Sequence, residues 1–359
     1  MSPRIQSSLV LGTLCAGLWL AGSALGFQAP APPGAPVQVN GRRQQIDQAV
    51  VRALNYLSQQ QLPSGAWPSE QLGASPACTS LAIMSFLAAG HVPGEGPYAS
   101  QIERGVQWVL QQQHANGMFA DERTHGPMYS HGICTLMLAE VLGMTPKESA
   151  KPIRMGLERA VELILLAQDV RKDARNAGGW RYLAKSDDSD LSVTGWQLLA
   201  LRAAKNVGCD VPAECIDKAV VYVKKCAVRG NEGFGYQPGD ASTAVRAGTG
   251  ILCLEICGEH HSPEALGAAN FLVRRPLTPR DAFYYYGVYY CTVGMFQIGG
   301  QHWDVLRDNL EPLVLGMQMP DGSWRAQQGD EARGGTIYCT SMSVLALAVE
   351  YQYLPIYQR

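Results

Sequence analysis

Charged side chains are scarce. Asp, Glu, Lys and Arg make up 17% of the 359 residues, where an ordinary soluble domain carries about 25%. Little of this chain is solvated polar face. The charge that remains nearly cancels, to a formal net of −2, which gives neither nucleic acid nor an anionic membrane surface a basic stripe to bind. No Cys-x-x-Cys pair and no zinc-ligand spacing occurs, no glycine loop of the phosphate-cradling kind, and no local context for a Ser-His-Asp or Cys-His pair. No metal or cofactor is therefore expected. No segment of useful length alternates with the period of a strand, which argues against an α/β fold.

Export is written into the first residues. Arg4, an apolar run from Leu9 to Leu20 and small residues up to Gly26 make residues 1–26 read as a secretory signal peptide. The run falls short of the roughly 20 apolar residues of a comfortable membrane span. An uncleaved anchor is the alternative. Residues 27–41 form an Ala/Pro-rich linker, and residues 42–359 the folded domain. The expected setting is periplasmic or secreted, with cell-envelope proximity. Beyond Cys15 of the leader, Cys78, Cys134, Cys253, Cys257, Cys291 and Cys339 sit in apolar helical runs as small hydrophobes. Cys209, Cys215 and Cys226 lie in or near a loop, where one local bridge can form.

What the chain does hold is a repeat. Apolar residues recur at 0, +4 and +7 in six stretches: Ile46/Val50/Ala53, Ile102/Val106/Val109, Leu157/Val161/Ile164, Ile216/Val220/Val223, Ala265/Ala269/Leu272 and Leu306/Leu310/Leu313. Each is one stripe on an amphipathic helix. A glycine-aromatic turn follows most of them: Gly65-Ala66-Trp67, Gly117-Met118-Phe119, Gly178-Gly179-Trp180, Gly233-Phe234 and Gly322-Ser323-Trp324. Glycine ends the helix and the ring ties the turn to its neighbour. A helix apolar nearly all round comes next: Cys78–Gly90, Gly132–Gly143, Ser192–Lys205, Ala244–Gly258, Phe283–Ile298 and Tyr338–Tyr353. Such helices are buried on both sides. An open solenoid needs polar capping repeats, yet the last of these helices is as apolar as the middle ones. The expectation is an all-α fold, a closed α/α toroid (α6-α6 barrel) of six helix-pair repeats.

These residues carry a family likeness. Gln318-Met319-Pro320-Asp321-Gly322-Ser323-Trp324 looks like the QW repeat of squalene and oxidosqualene cyclases, and Gln61 to Trp67 is a second copy. Residues 42 to 353 resemble the prenyltransferase/squalene-oxidase repeat group, which includes triterpene cyclases and the β subunits of protein prenyltransferases. The resemblance implies an isoprenoid-like ligand in an aromatic lumen. Cyclases of that group protonate substrate with the middle Asp of an Asp-x-Asp-Asp motif. The corresponding stretch is Asp187-Asp188-Ser189-Asp190, with Ser189 at the donor position. The zinc ligands of the prenyltransferases have no counterpart before the Phe283 helix.

In a toroid every outer-to-inner loop lies on one rim, where the inner helices point their N-termini. The polar residues gather there: Asp121, Glu122, His125, Tyr129 and His131; Asp187, Asp188 and Asp190; Asp240; Asp330 and Tyr338. The candidate catalytic residues are Asp187, Asp188, Asp190 and His131. Crowded acids hold a proton at raised pKa, and His131 serves as base. Asp190, Asp240 and Ser192 read equally as helix caps, and His131 as a core histidine. Candidate ligand-binding residues are Tyr129, Tyr182, Trp196, Tyr236, Tyr285, Tyr286 and Tyr338, rings that line the mouth and lumen for a hydrophobic small molecule, or pack as core. His260 and His261 lie on the opposite rim as exposed loop residues. The expected function is a terpene cyclase-like protein of open activity. A non-catalytic envelope scaffold and a polysaccharide-active toroid are the alternatives.

Overall fold

The computed structural model describes residues 39–71, 73–120, 126–326 and 329–358. The expected signal peptide, the expected linker up to residue 38 and the rim residues Asp121, Glu122 and His125 lie outside them. Twelve helices follow in chain order. The amphipathic ones are α1 (Val39–Gln60), α3 (Ala99–Gln111), α5 (Lys151–Gln168), α7 (Ala213–Lys225), α9 (Pro263–Arg274) and α11 (Gly300–Gly316). The apolar ones are α2 (Pro76–Ala88), α4 (Pro127–Gly143), α6 (Leu191–Asn206), α8 (Ala244–Ile256), α10 (Tyr284–Ile298) and α12 (Asp330–Leu347). The apolar set packs side by side in the order α2, α4, α6, α8, α10, α12, and α12 returns to α2. That is a closed inner ring, with the amphipathic helices outside it. Strand is confined, among the described residues, to a two-residue hairpin, Pro68–Ser69 with Gly73–Ala74.

Four of the turns are staples with named parts. Gln61, Gln113, Gln168 and Gln318 stand at the ends of outer helices. Each Nε2 donates both to the carbonyl of its turn glycine and to a carbonyl on the next outer helix, at 2.8–3.0 Å. For Gln318 the next helix is α1, through Ala49, so the last repeat is stapled to the first. Trp67, Trp180 and Trp324 donate their ring N–H to carbonyls of Leu57, Ile164 and Val314 on their own outer helices. All three rings are at most 1% exposed, and removing one costs about 3–5 kcal/mol. The turn needs glycine for two reasons at once. Gly178 has φ +97°, and a Cβ there would lie 2.2 Å from the Lys218 carbonyl of the next outer helix.

A further link is hidden in the sequence by its varying spacing. Thr79, Thr194 and Thr340 accept the backbone N–H of Trp67, Trp180 and Trp324. These threonines tie each inner helix to the turn before it. The α9–α10 turn lacks the motif; its Leu277 is buried, 2% exposed, against Gly287 of α10.

The last inner helix differs from expectation. It ends at Leu347 rather than Tyr353, and it is broken at Gly335, where φ is +83°. Beyond it come short 3-10 turns at Val349–Tyr351 and Pro355–Tyr357, separated by Gln352 in a left-handed conformation. The apolar character of this stretch arises because it runs under the ring, not because it extends the helix. Cys209, Cys215 and Cys226, among which the sequence left one local bridge open, are free thiols.

Candidate functional site at the mouth of the barrel

The mouth is built around a residue that sequence reasoning passed over. Arg181 follows the buried Trp180 and so projects from the α5–α6 loop. Its Nε lies 3.0 Å from Asp188 and its Nη1 2.7 Å from Asp190. The same Nη1 donates to the Tyr236 hydroxyl at 2.7 Å. The guanidinium lies 4.2 Å from the ring centre of Tyr182 and 5.3 Å from that of Tyr236. The two phenol oxygens are 2.5 Å apart, and Arg246 covers Tyr236 from another side at 5.1 Å. The available signal was the pattern itself, a cation between two rings in Trp180-Arg181-Tyr182.

The three acids part company. Asp190 is fully buried. One oxygen caps α6 by accepting the Val193 N–H at 2.9 Å, and the other takes Arg181. Burial pushes its pKa up, opposed by Val193 and Arg181. Asp188 is half exposed beside Arg181, and Asp187 is exposed. Ser189 turns away from the mouth, its Oγ donating to the Asn176 carbonyl at 2.8 Å. Of the other expected caps, Asp240 closes a turn by accepting the Gln237 N–H, and α8 is capped by Thr243. Ser192 lies inside the first turn of α6.

His131 does not face the mouth. It is fully buried, its Nδ1 accepting the Phe119 N–H at 3.1 Å and its Nε2 meeting the Ala160 carbonyl at the same distance. It occupies the place of the stapling threonine in the second repeat. The Ala160 contact places the proton on Nε2. Desolvation lowers its pKa to about 4, so it stays neutral.

The tyrosines form two groups. Tyr129, Tyr182, Tyr236 and Tyr338 are half-buried around the opening. Tyr129 lies 5.9 Å from Tyr182 ring to ring, within the field of the Asp190 carboxylate. Burial raises the phenol pKa of both Tyr129 and Tyr236, which keeps them protonated hydrogen-bonding groups. Tyr286 lies beneath, 6.4 Å from Trp196. Tyr285 leaves this group: its hydroxyl donates to the Arg325 carbonyl at 3.1 Å, a tie toward the α11–α12 loop. One residue along a helix turns the side chain by about 100°, which separates Tyr285 from Tyr286. Glu331 of the neighbouring α12 caps α10 by accepting the N–H groups of Tyr285 and Tyr286. The N-terminus of that helix is thus already satisfied by an internal carboxylate.

Below the opening the barrel is filled. Trp196 of α6 stacks on Tyr289 of α10 with centroids 5.7 Å apart and planes 7° from parallel. Tyr290 packs on their edges. None of the three is more than 1% exposed. The expected open aromatic lumen is, at this level, a packed layer of rings. On the opposite rim, His260 and His261 brace a loop: His260 Nδ1 and the His261 N–H both meet the buried Glu255 carboxylate. No cluster of His, Cys, Asp and Glu among the described residues has the geometry to hold a metal ion.

A prenyltransferase α/α toroid domain model matches residues 42–171, 78–284 and 286–355. The chain belongs to this family. A comparison with curated proteins gives no match. Among solved structures, the type II terpene cyclase MstE from Scytonema is similar at 14% identity, covering 87% of this chain and 99% of its own, with a TM-score of 0.57. A variant of that enzyme holds geranylgeranyl dihydroxybenzoate. An inactive variant of α-1,6-mannanase GH76A of Salegentibacter sp. HEL1_6, holding α-1,6-mannotriose, is similar at 9% identity, 84% and 99% coverage and a TM-score of 0.63. At these identities the likeness shows the shared toroid and nothing finer.

Proposed function

We propose that this toroid is an exported binding protein that takes a saccharide in the tyrosine vestibule at its mouth and does not turn it over. The observation that carries the reading is the Trp196–Tyr289 stack, which closes the barrel one to two helical turns below the opening. A barrel closed at that level has no open lumen for an extended hydrocarbon to thread. Half-exposed tyrosine faces stack on sugar rings, while Arg181, Arg246 and the phenols offer directional hydrogen bonds. Of the two ligand classes held by the structural neighbours, this geometry favours the sugar.

The acids support binding rather than catalysis. Both oxygens of Asp190 are committed within the protein, and Ser189 stands where a proton donor is required. Hydrolysis needs a second carboxyl facing the first across the substrate, and the buried Asp190 does not reach a ligand. The export part of the reading rests on residues 1–26.

The test is calorimetric titration of the mature protein with a panel of manno-, gluco- and galacto-oligosaccharides and, in parallel, detergent-dispersed polyprenols. A saccharide should bind, and Tyr236→Ala should weaken it at least tenfold, about 1.4 kcal/mol. Polyprenol binding with no saccharide response would overturn the proposal in favour of the hydrophobic ligand.

A further inference from the structure

The far end of the barrel is closed by a segment that crosses it. Tyr357, in the 3-10 turn after α12, hydrogen-bonds the hydroxyl of Tyr289 on α10 through its own. Gln297 of α10 donates to the Tyr357 carbonyl at 3.3 Å. The Ile356 N–H donates to the Glu140 carboxyl of α4 at 3.3 Å, and Pro355 lies against Gly143 of the same helix. The turn also packs on α6. In a ring of six inner helices, α4 and α10 stand opposite each other. The segment therefore spans the axis.

Its seat is preformed in helices whose own hydrogen bonds do not depend on it. Ile356 and Tyr357 are buried, at 7% and 4% exposure, while Gln352, Tyr353 and Gln358 around them are exposed. Leu354, Ile356 and Tyr357 set their side chains into the hydrophobic core, and polar contacts to the ring add to that packing. They present one acceptor (Glu140), one donor (Gln297) and one phenol (Tyr289), as a binding site presents itself to a peptide. Above Tyr357 lies the ring layer of Trp196, Tyr289 and Tyr290, with the buried Cys253 beside it, since both Tyr290 Oη and Cys253 Sγ come within 3.5 Å of a Cβ placed on Gly195.

We propose that Leu354 to Gln358 is a displaceable strap, seated in a peptide-binding pocket formed by α4, α6 and α10, and that its departure opens the barrel from the end opposite the mouth. The pocket recognises a Pro-Ile-Tyr segment by the Ile N–H, the Tyr carbonyl and the Tyr hydroxyl. The opening exposes the aromatic layer from beneath. This site is separate from the vestibule and does not depend on the saccharide reading.

The experiment uses the chain stopped after Tyr353, with and without a synthetic Leu-Pro-Ile-Tyr-Gln peptide. Labelling of Cys253 by N-ethylmaleimide is followed by mass spectrometry, and cooperative melting establishes that the shortened chain is folded. Labelling should run at least tenfold faster than in the full chain, and millimolar peptide should slow it again. A peptide with Phe for Tyr should slow it less. A folded shortened chain that labels Cys253 no faster than the full chain would overturn the proposal. So would acceleration that the peptide leaves unchanged. If the shortened chain does not fold, hydrogen exchange on the full chain decides. The Ile356 and Tyr357 amides should exchange well before those of α10, and exchange only with global unfolding would show the segment to be fixed core.

Discussion

The two ends of the barrel each bury a carboxyl group, and they treat it in opposite ways. At the mouth, Asp190 is fully buried but bonds the Arg181 guanidinium and a backbone N–H. At the far end, Glu140 is 1% exposed and has one backbone N–H and two neutral phenols, Tyr289 and Tyr357, for company. Desolvation raises the Glu140 pKa to about 8, so it carries a proton at neutral pH. Burial alone does not decide the charge of an acid. The presence of a cation within bonding distance does. The mouth is thereby kept polar and the far end neutral, as a solvent-facing site and a packed seal require.

Asp190→Ala should be the largest disruption of the contrast. It removes the α6 cap and leaves Arg181 short of a partner, at a cost of about 3 kcal/mol. The expected fall in melting temperature is roughly 5 °C, and a fall below 1 °C would show the pair to be idle. Glu140→Gln should act in the other direction and depend on pH. The native state keeps a proton that the unfolded chain releases near its ordinary value of 4.5. Stability therefore falls as pH rises from about 4.5 to about 8, and levels beyond. The glutamine variant lacks this slope and should be more stable than its parent at pH 8, on the order of 4 kcal/mol, with little difference at pH 4.5. Parallel denaturation midpoints across that range would show Glu140 to be ionised already. Tyr182→Phe is the finest probe. It breaks the phenol pair with Tyr236 at under about 1 kcal/mol of stability, so melting should hardly move while saccharide binding weakens. Unchanged binding would place the ligand away from that pair.

The ring was legible in the sequence because its signals are local and periodic. Stripes at 0, +4 and +7 and the Gly-aromatic turns fix the helix pairs, and a last stretch as apolar as the middle ones pointed to closure. The site was legible only in part. Tyr129, Tyr182, Tyr236 and Tyr286 come together as expected from their shared rim. Arg181 was missed because a lone arginine beside tryptophan has no period. His131, left open in the sequence between base and core histidine, is a core staple whose role no fixed spacing announces: Phe119 and His131 stand 12 residues apart, as Trp67 and Thr79 do, while Trp180 and Thr194 stand 14 apart and Trp324 and Thr340 16. Tyr285 and Tyr286 are adjacent in sequence yet face different neighbours. The strap was invisible, since an apolar stretch under a ring and one inside a helix have the same composition.

The bond from Gln318 to Ala49 joins residues 269 positions apart, whereas the corresponding bonds from Gln113 and Gln168 span 43 and 47. Closing the longer loop costs only about 1.6 kcal/mol more in chain entropy, a small sum against the buried rings. Its effect falls instead on the clock. Neighbouring repeats meet early and locally, while the seam between the last repeat and the first must wait for all the others and find its register over the longest span. A half-made molecule is an open arc with two raw apolar edges, and it stays one until the final staple catches.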